Sequence, residues 1–488
     1  MTLSRRFFLQ GSVAGMAALA FSKKAPAQMS SGKDKSELHY LTVAEAARMI
    51  RQRKLSPVEY TEAILKRIDA VEPKVHAFIT VTREQALETA KTAEKEIMAG
   101  KYRGPLHGIP FGVKDTHYTA GIKTTVATPV LADFVPNFDA TVVARLKKAG
   151  GILMGKTNLP EFSFGGETPG TSNPWDLKRS PGGSSGGSGA ALAAGELPAA
   201  TGGDTSGSIR GPAALNGVVG MMSTYGRVSR YGVAVICWSL DRVGPMTRSI
   251  EDNAMMLNIL AGYDPLDDSS ADAPIPDYTR SLKRGVKGVR IGIPKSPWFE
   301  GFHADVMKAY EDGISIYKKL GAKILEVDLP ATMEVVDQMQ RIIRISEAAS
   351  YHEPFITNHV EKYGKSNVRR DVEAGSLIPA VHYLRGQRVR KIFIKEMNEL
   401  YRDIDLLLTP GRAAPAGLPE KVKQNFSRMW NVSGFPALVI PAGFTTDPAG
   451  LPTALQLGAR PFEEELLYGA GYAYESETHW WDKQKPSV

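Results

Sequence analysis

Short apolar runs with β-branched content recur along the chain, and helix-start signals stand between several of them. The runs at 109–113, 151–154, 289–293, 323–327, 406–409 and 437–440 read as buried strands. Helical stretches such as 250–261 and 303–320 lie between them. That alternation leaves few choices: it predicts the α/β class, with a central mixed or largely parallel sheet covered by helices on both faces. Thr42 and Glu45 form a capping box that opens a helix to about Arg53. Ser56 followed by Pro57 opens a second, expected to end before Pro73. Thr82 to Gln85 opens a third, closing near Gly100, and Asp139 caps a fourth that stops at Gly150-Gly151. Residues 330–405 carry no strand signal and read as a helical cap over one end of the sheet. No repeat and no linker interrupts the 488 residues, so residues 28–488 are expected to form one large domain.

Composition is that of an ordinary globular protein, 43% hydrophobic and 23% charged. The net charge is +8, but four Lys/Arg and no acid fall within residues 1–27, and no block of five basic residues follows. Nucleic acid is therefore not an expected partner. The first residues, "SRRFFLQGSVAGMAALAFSKKAPAQ", place Arg5-Arg6 before an apolar stretch and Ala25-Pro26-Ala27. They read as a twin-arginine export signal over 1–27, predicting a periplasmic or secreted protein with the export machinery as a passing partner. No later run reaches the ~18 apolar residues of a membrane span. The single cysteine, Cys237, excludes an internal disulfide and reads as a small core residue.

Several motifs compete for the chemistry. "GGILMGKT" (150–157) matches a phosphate-binding loop on paper, but its strand-like residues lie between the two glycines and Pro160 follows at once, so nucleotide binding is rejected. "RSPGGSSGGSGAALAAG" (179–195) holds G-x-S-x-G twice, centred on Ser184 and Ser185, yet the strand that a nucleophile elbow requires is missing before it. His303, His352, His382 and His479 have no supporting signature, and no metal or cofactor site is evident. A second Gly/Ser loop, 202–208, follows an alanine-rich helical segment. Two such loops can converge, their N–H groups forming a concavity for a developing oxyanion. Lys114 ends the apolar "GIPFGV" run, where desolvation would lower its pKa and let it serve as base to a serine.

Taken in order, "GIPFGVKD" (108–115), "GGILMGKTNLPEF" (150–162), "SPGGSSGGSGAALAAG" (180–195), "GGDTSGSIRGPA" (202–213), "SLDRVGPMTRSIED" (239–252) and "NVSGFPALVIPAG" (431–443) resemble the amidase signature family. The resemblance runs over about residues 40–478 and implies that family's α/β fold and a Ser-cisSer-Lys triad. Lys114 matches the family lysine, Ser184 the bridging serine after a cis peptide bond, and Ser208 the acylated nucleophile. The N–H groups of Thr205, Ser206, Gly207 and Ser208 match the oxyanion hole, with Asp204 and Arg210 bracing the loop. The implied reaction is cleavage of a small-molecule amide through an acyl-serine, without cofactor, and homodimers are common among such enzymes. Carbamate, ester or arylamide cleavage on the same triad, an α/β-hydrolase-type esterase and a non-catalytic binding protein are the alternatives. The export signal argues against a further one, the glutaminase component of a tRNA-dependent amidotransferase. Two departures stand out: Gly203 and Ser206 occupy positions where the family often has Thr and Gly, and "GMMSTYG" (220–226) lacks the usual Lys-Pro pair.

Overall fold

The strands of the computed structural model, which describes residues 35–364, 367–420, 422 and 426–488, join in one sheet of eleven. They are β1 (Phe78–Val81), β2 (Pro110–Lys114), β3 (Ile152–Thr157), β4 (Ala199–Asp204), β5 (Val219–Met222), β6 (Arg242–Thr247), β7 (Arg290–Pro294), β8 (Lys323–Val327), β9 (Leu406–Pro410), β10 (Ala437–Thr446) and β11 (Ala449–Gly458). The order across the sheet is β1-β3-β2-β4-β6-β5-β10-β11-β9-β7-β8. Parallel pairs lie towards the two ends (β3-β2-β4 and β9-β7-β8), and antiparallel pairs fill the middle. Each expected apolar run is a strand. The strands that were not anticipated, β1, β4, β5, β6 and β11, are short or rich in Gly, Ala, Met and Pro, types that carry little β propensity by themselves.

Helices cover the sheet on both faces, the fold of a single large α/β domain. In α1 (Val43–Arg51) both halves of the capping box form, with Thr42 Oγ1 accepting from Glu45 N at 3.0 Å and Glu45 Oε2 from Thr42 N at 3.1 Å. The second helix, α2 (Pro57–Val75), runs past its expected end: Pro73 lies inside its last turn, and the chain leaves through a left-handed His76. Helix α3 (Arg83–Met98) starts after Thr82, whose hydroxyl donates to Leu153 O instead of capping. Helix α4 (Thr141–Lys148) begins two residues beyond Asp139, whose carboxylate accepts from Ala120 N and pairs with Lys147 at 2.8 Å. The last two differences have one cause: a short polar side chain takes a tertiary partner when one is nearer than the helix end.

The remaining helices are α5 (Gly186–Ala193), α6 (Arg210–Asn216), α7 (Ile250–Leu260), α8 (Tyr278–Ser281), α9 (Ala304–Lys319), α10 (Val336–His359), α11 (Asn367–Ser376), α12 (Ala380–Leu400), α13 (Arg428–Ser433), α14 (Glu464–Thr478) and α15 (Trp480–Lys483). Helices α10 to α12, here termed the cap, pack on an apolar cluster that includes Val336, Ile343, Phe393, Met397 and Trp430. A larger cluster fills the space between the sheet and the other helices.

Because β2 and β4 run parallel as neighbours, Lys114 and Asp204, the last residue of each, reach the same edge of the sheet. Antiparallel β6 begins there, with Arg242 opposite Asp204. Ligands of open α/β sheets bind outside the carboxyl ends of the strands, and the candidate site lies at that edge.

Candidate active site

The Gly/Ser stretch is folded, and each of its serines has a separate position. Gly183-Ser184 is a cis peptide bond. Helix α5 follows with all eight residues buried, which only small side chains allow. A Cβ on Gly187 would stand 2.4 Å from Asn158 N and 2.5 Å from Ala77 O, and one on Gly183 would stand 2.8 Å from Glu167 N. Ser180 Oγ accepts from Gly182 N. Ser185 Oγ donates to Gly203 O and accepts from Gly203 N, both at 3.2 Å, while its N–H donates to Ser208 O. Ser188 lies between Thr157 Oγ1 at 2.7 Å and Thr201 O at 2.8 Å. Ser184 alone of these serines faces the lysine: Lys114 Nζ donates to its Oγ at 2.6 Å, with both residues buried.

Burial lowers the Lys114 pKa to about 7, against partial opposition from the carboxylates of Asp204 and Asp241. The ammonium form is disfavoured because the side chain is withdrawn from solvent and, among the described residues, forms no ion pair with a carboxylate. Lys156 is also buried, but it has an ion pair with Asp115 at 3.0 Å and donates to His117 O and Thr124 Oγ1. The lysine of the apparent phosphate loop is thus a strut between β3 and the segment after β2.

The second loop, 205–209, turns from β4 into α6 around Asp204. Its carboxylate accepts from Gly207 N at 2.7 Å, Ile209 N at 3.0 Å and Asn431 Nδ2 at 2.9 Å, and forms an ion pair with Arg210 at 3.1 Å. Burial would raise the Asp204 pKa, but the Arg210 guanidinium and these donors hold it well below the usual carboxylate range. Arg210 also donates to Ser427 O, Gln456 Oε1 and Asn431 Oδ1. Thr205 Oγ1 donates to Asp241 Oδ1 at 2.6 Å, and Gln340 of α10 donates to Ser206 Oγ at 2.6 Å and Thr205 O at 3.3 Å. The Gly207 N–H, one of the four expected to line an oxyanion hole, donates to Asp204 in this arrangement.

Ser208, Gly183 and the 205–207 loop form the floor of a cavity of about 600 Å³. Its walls carry Arg341 and Arg344 from α10, Arg370 and Asp371 from α11, Arg412, and Arg428 with Asp337. Arg344 pairs with Asp371 at 2.9 Å, Arg412 with Glu420 at 2.8 Å, and Arg428 with Asp337. Arg341 has no carboxylate partner among the described residues. A second cavity of about 700 Å³ reaches Lys114, Asp204 and Asp241 from the other side, and the two share Ser163, Thr205 and Ile236. Sequence reasoning did not assign roles to Asp241, Gln340 or the arginines. The pair Arg341/Arg344 in "RIIRISEAAS" is at one-turn spacing on a helix, a signal that was present but not specific.

Cys237 is buried as expected, although its thiol donates to Glu347 Oε2 at 2.9 Å. His352 is buried beside Tyr363, and His303 caps α9 by accepting from Asp305 N. Among the described residues no group of His, Cys, Asp and Glu could hold a metal ion. None of the described helices is long and apolar enough to cross a membrane.

At one edge of a central mixed sheet, Lys114 therefore meets Ser184, and Ser208 stands on the loop that follows β4. The family described as Amidase matches residues 59–468, and this chain belongs to it: it is an amidase, acting on the amide C–N bond. Its sequence is 39% identical to the A component of the glutamyl-tRNA(Gln) amidotransferase of Carboxydothermus hydrogenoformans, over 93% of this chain and 100% of that protein. It is 41% identical to the component of the same name in Geotalea daltonii, over 91% and 98%. Among solved structures, peptide amidase from Stenotrophomonas maltophilia superposes with a TM-score of 0.82 at 29% identity, covering 92% of this chain and 98% of that one. The structure of the amidotransferase component from Thermotoga maritima gives 0.75 at 31%, covering 92% and 96%.

These relatives correct the expected setting. The sequence pattern predicts a stand-alone exported hydrolase in the periplasm, with a small-molecule substrate and the export machinery as partners. The curated relatives instead bear the name of one component of a glutamyl-tRNA(Gln) amidotransferase, and the likeness extends over nine-tenths of the chain. A paired arginine before an apolar run is a local compositional signal, and residues 1–27 lie outside the described residues. Identity across the whole folded body is the more specific observation.

Proposed function

We propose that the chain is the amide-cleaving component of an amidotransferase of the kind its relatives' name describes, releasing ammonia from a carboxamide donor through an acyl-Ser208 intermediate. The observation that carries the reading is the buried 2.6 Å contact between Lys114 and Ser184 beside the loop that presents Ser208. With the Lys114 pKa near 7, the neutral amine is available at physiological pH to accept the Ser184 hydroxyl proton, while Ser184 takes the proton of Ser208. Ser208 Oγ attacks the amide carbon. The N–H groups of Thr205, Ser206 and Ser208 receive the oxyanion, in a loop already ordered by Asp204 and Arg210. As the C–N bond breaks, the relay runs in reverse, and the proton passes through Ser184 to the departing nitrogen. Water then repeats the sequence on the acyl-serine and regenerates Ser208.

The arginine-lined cavity favours a donor that carries a carboxylate besides its amide, because Arg341 has no carboxylate partner among the described residues and a guanidinium suits bidentate recognition. Glutamine meets both requirements and is the first donor to assay. Ammonia release from glutamine should fall at least about 10³-fold in Ser208→Ala with the melting temperature unchanged. A fluorophosphonate probe followed by peptide mapping should label Ser208. Label on Ser185, or full activity in Ser208→Ala, would sink the mechanism.

A further inference from the structure

Ser206 stands where the family loop often has a glycine, and its hydroxyl is occupied. Gln340, on the cap helix α10 and only 1% exposed, donates to Ser206 Oγ at 2.6 Å and to Thr205 O at 3.3 Å. A buried amide reaching two acceptors in one loop fixes both the side chain of one residue and the peptide of the residue before it. That peptide, Thr205–Ser206, carries the Ser206 N–H, so its tilt decides where one oxyanion donor points.

Other contacts hold the loop elsewhere. Asp241 anchors the Thr205 hydroxyl, Asn431 donates to Asp204 O, and Asp204 holds Gly207 N and Ile209 N. They bind the start and the end of the turn, and Gln340 is the clasp on its middle. It comes from the helix whose Arg341 and Arg344 line the cavity.

We propose that Gln340 is a positioning residue for the amide cleavage, holding the Thr205–Ser206 peptide in the orientation that receives the oxyanion through its hydrogen bonds to Ser206 Oγ and Thr205 O. A glycine at 206 would offer no side chain for this clasp, so the departure from the family pattern and the cap glutamine form one device. The inference rests on Ser208 as nucleophile and goes beyond it, by assigning to the cap a part in the chemical step.

The test measures the second-order rate at which a fluorophosphonate labels Ser208, since the probe's phosphoryl oxygen enters the same hole and no amide substrate need be known. Gln340→Met keeps the volume and removes the amide, and it should slow labelling roughly tenfold by displacing a donor without deleting one. The midpoint of the pH profile, set by Lys114, should not move. Gln340→Glu should be no faster than Met, because a carboxylate has no N–H to donate to Thr205 O and sets a negative charge beside the oxyanion. Ser206→Ala should slow labelling by a smaller factor, since the bond to Thr205 O remains, and the double variant Ser206→Ala/Gln340→Met should be within about twofold of Gln340→Met. Wild-type rates in Gln340→Met, or two losses that multiply, would overturn the proposal. If Gln340→Met does not fold, a wild-type rate in Ser206→Ala overturns it alone. Absence of any label on Ser208 in the unmodified protein would overturn the nucleophile assignment itself, an outcome distinct from a labelled enzyme indifferent to Gln340.

Discussion

Lys114 and Asp204 are charged residue types at the ends of neighbouring buried strands, and their surroundings push them in opposite directions. Burial lowers the Lys114 pKa from 10.5 to about 7, whereas the Arg210 guanidinium and the donors around it keep Asp204 ionised. For Lys114 the active form is the neutral one, so kcat/KM should rise with pH through about 7 and level off by about 8. A profile flat from pH 5 to 9 would remove the lysine as base. The unfolded chain keeps this proton up to the ordinary lysine value of 10.5, so it binds more protons than the folded chain between about 7 and 10.5, and stability rises with pH over that window. Lys114→Met should abolish activity and raise stability by about 1–4 kcal/mol below pH 7, since it removes a buried cation that has no carboxylate in contact among the described residues. Asp204 contributes stability that is present above its unfolded pKa of roughly 4 and is lost as pH falls below it. Asp204→Asn leaves Arg210 buried without its counter-charge and should cost about 3–5 kcal/mol, measured by denaturant unfolding.

Among the elements, α5 shows most clearly how composition misleads. Five glycines and four serines within residues 179–189 would suit a flexible tether, yet α5 is buried along its whole length and its glycines meet the chain just before β1 and just after β3 and the residues of α6. The glycines are there for close approach. Gly187→Ala would drive a methyl into the backbone of Asn158 and Ala77 and should destabilise by at least about 3 kcal/mol. Gly166→Ala, with nothing within 4 Å of the added carbon, should change the melting temperature by less than about 2 °C. The same distinction explains which elements were legible. Runs such as those of β2 and β9 declare themselves by their own apolar side chains. β4 reads "AATGGD" and is a central strand only because β2 and β6 supply partners on either side.

At the scale of the molecule, two apolar clusters divide the work. One holds the sheet and its covering helices, and the other seats the α10–α12 cap beside the cavity. Helix α12 and the turn before it leave Leu377, Val381 and Leu384 exposed, and α11 and α12 have fewer buried side chains than the sheet, so their hydrogen bonds should open more readily. In native-state hydrogen exchange the amides of α11 and α12 should exchange well before those of β2, β4 and β6, and equal protection would show the cap to be part of the same cooperative unit. The proposed role also entails an assembly. Co-expression with the other components of a glutamyl-tRNA(Gln) amidotransferase should give a complex that co-elutes on gel filtration, and elution of the chain alone would count against the proposed role.

Local side-chain pattern and motif order were enough for the α/β class, the alternation of strands and helices, the family, and the short list of serines and lysine to consider. Residue pattern by itself left Ser184 and Ser185 equivalent, as neighbours with the same flanking glycines; the family resemblance singled out Ser184, the serine the fold sets against Lys114. Neither pattern nor resemblance could say that the Gly207 N–H donates to Asp204, that Lys156 pairs with Asp115 while Lys114 meets Ser184, or that Gln340 clasps a loop more than 130 residues away. Hydrogen bonds and desolvation depend on what surrounds a group in space, and for residues so distant along the chain only the folded sheet and its cap supply those surroundings.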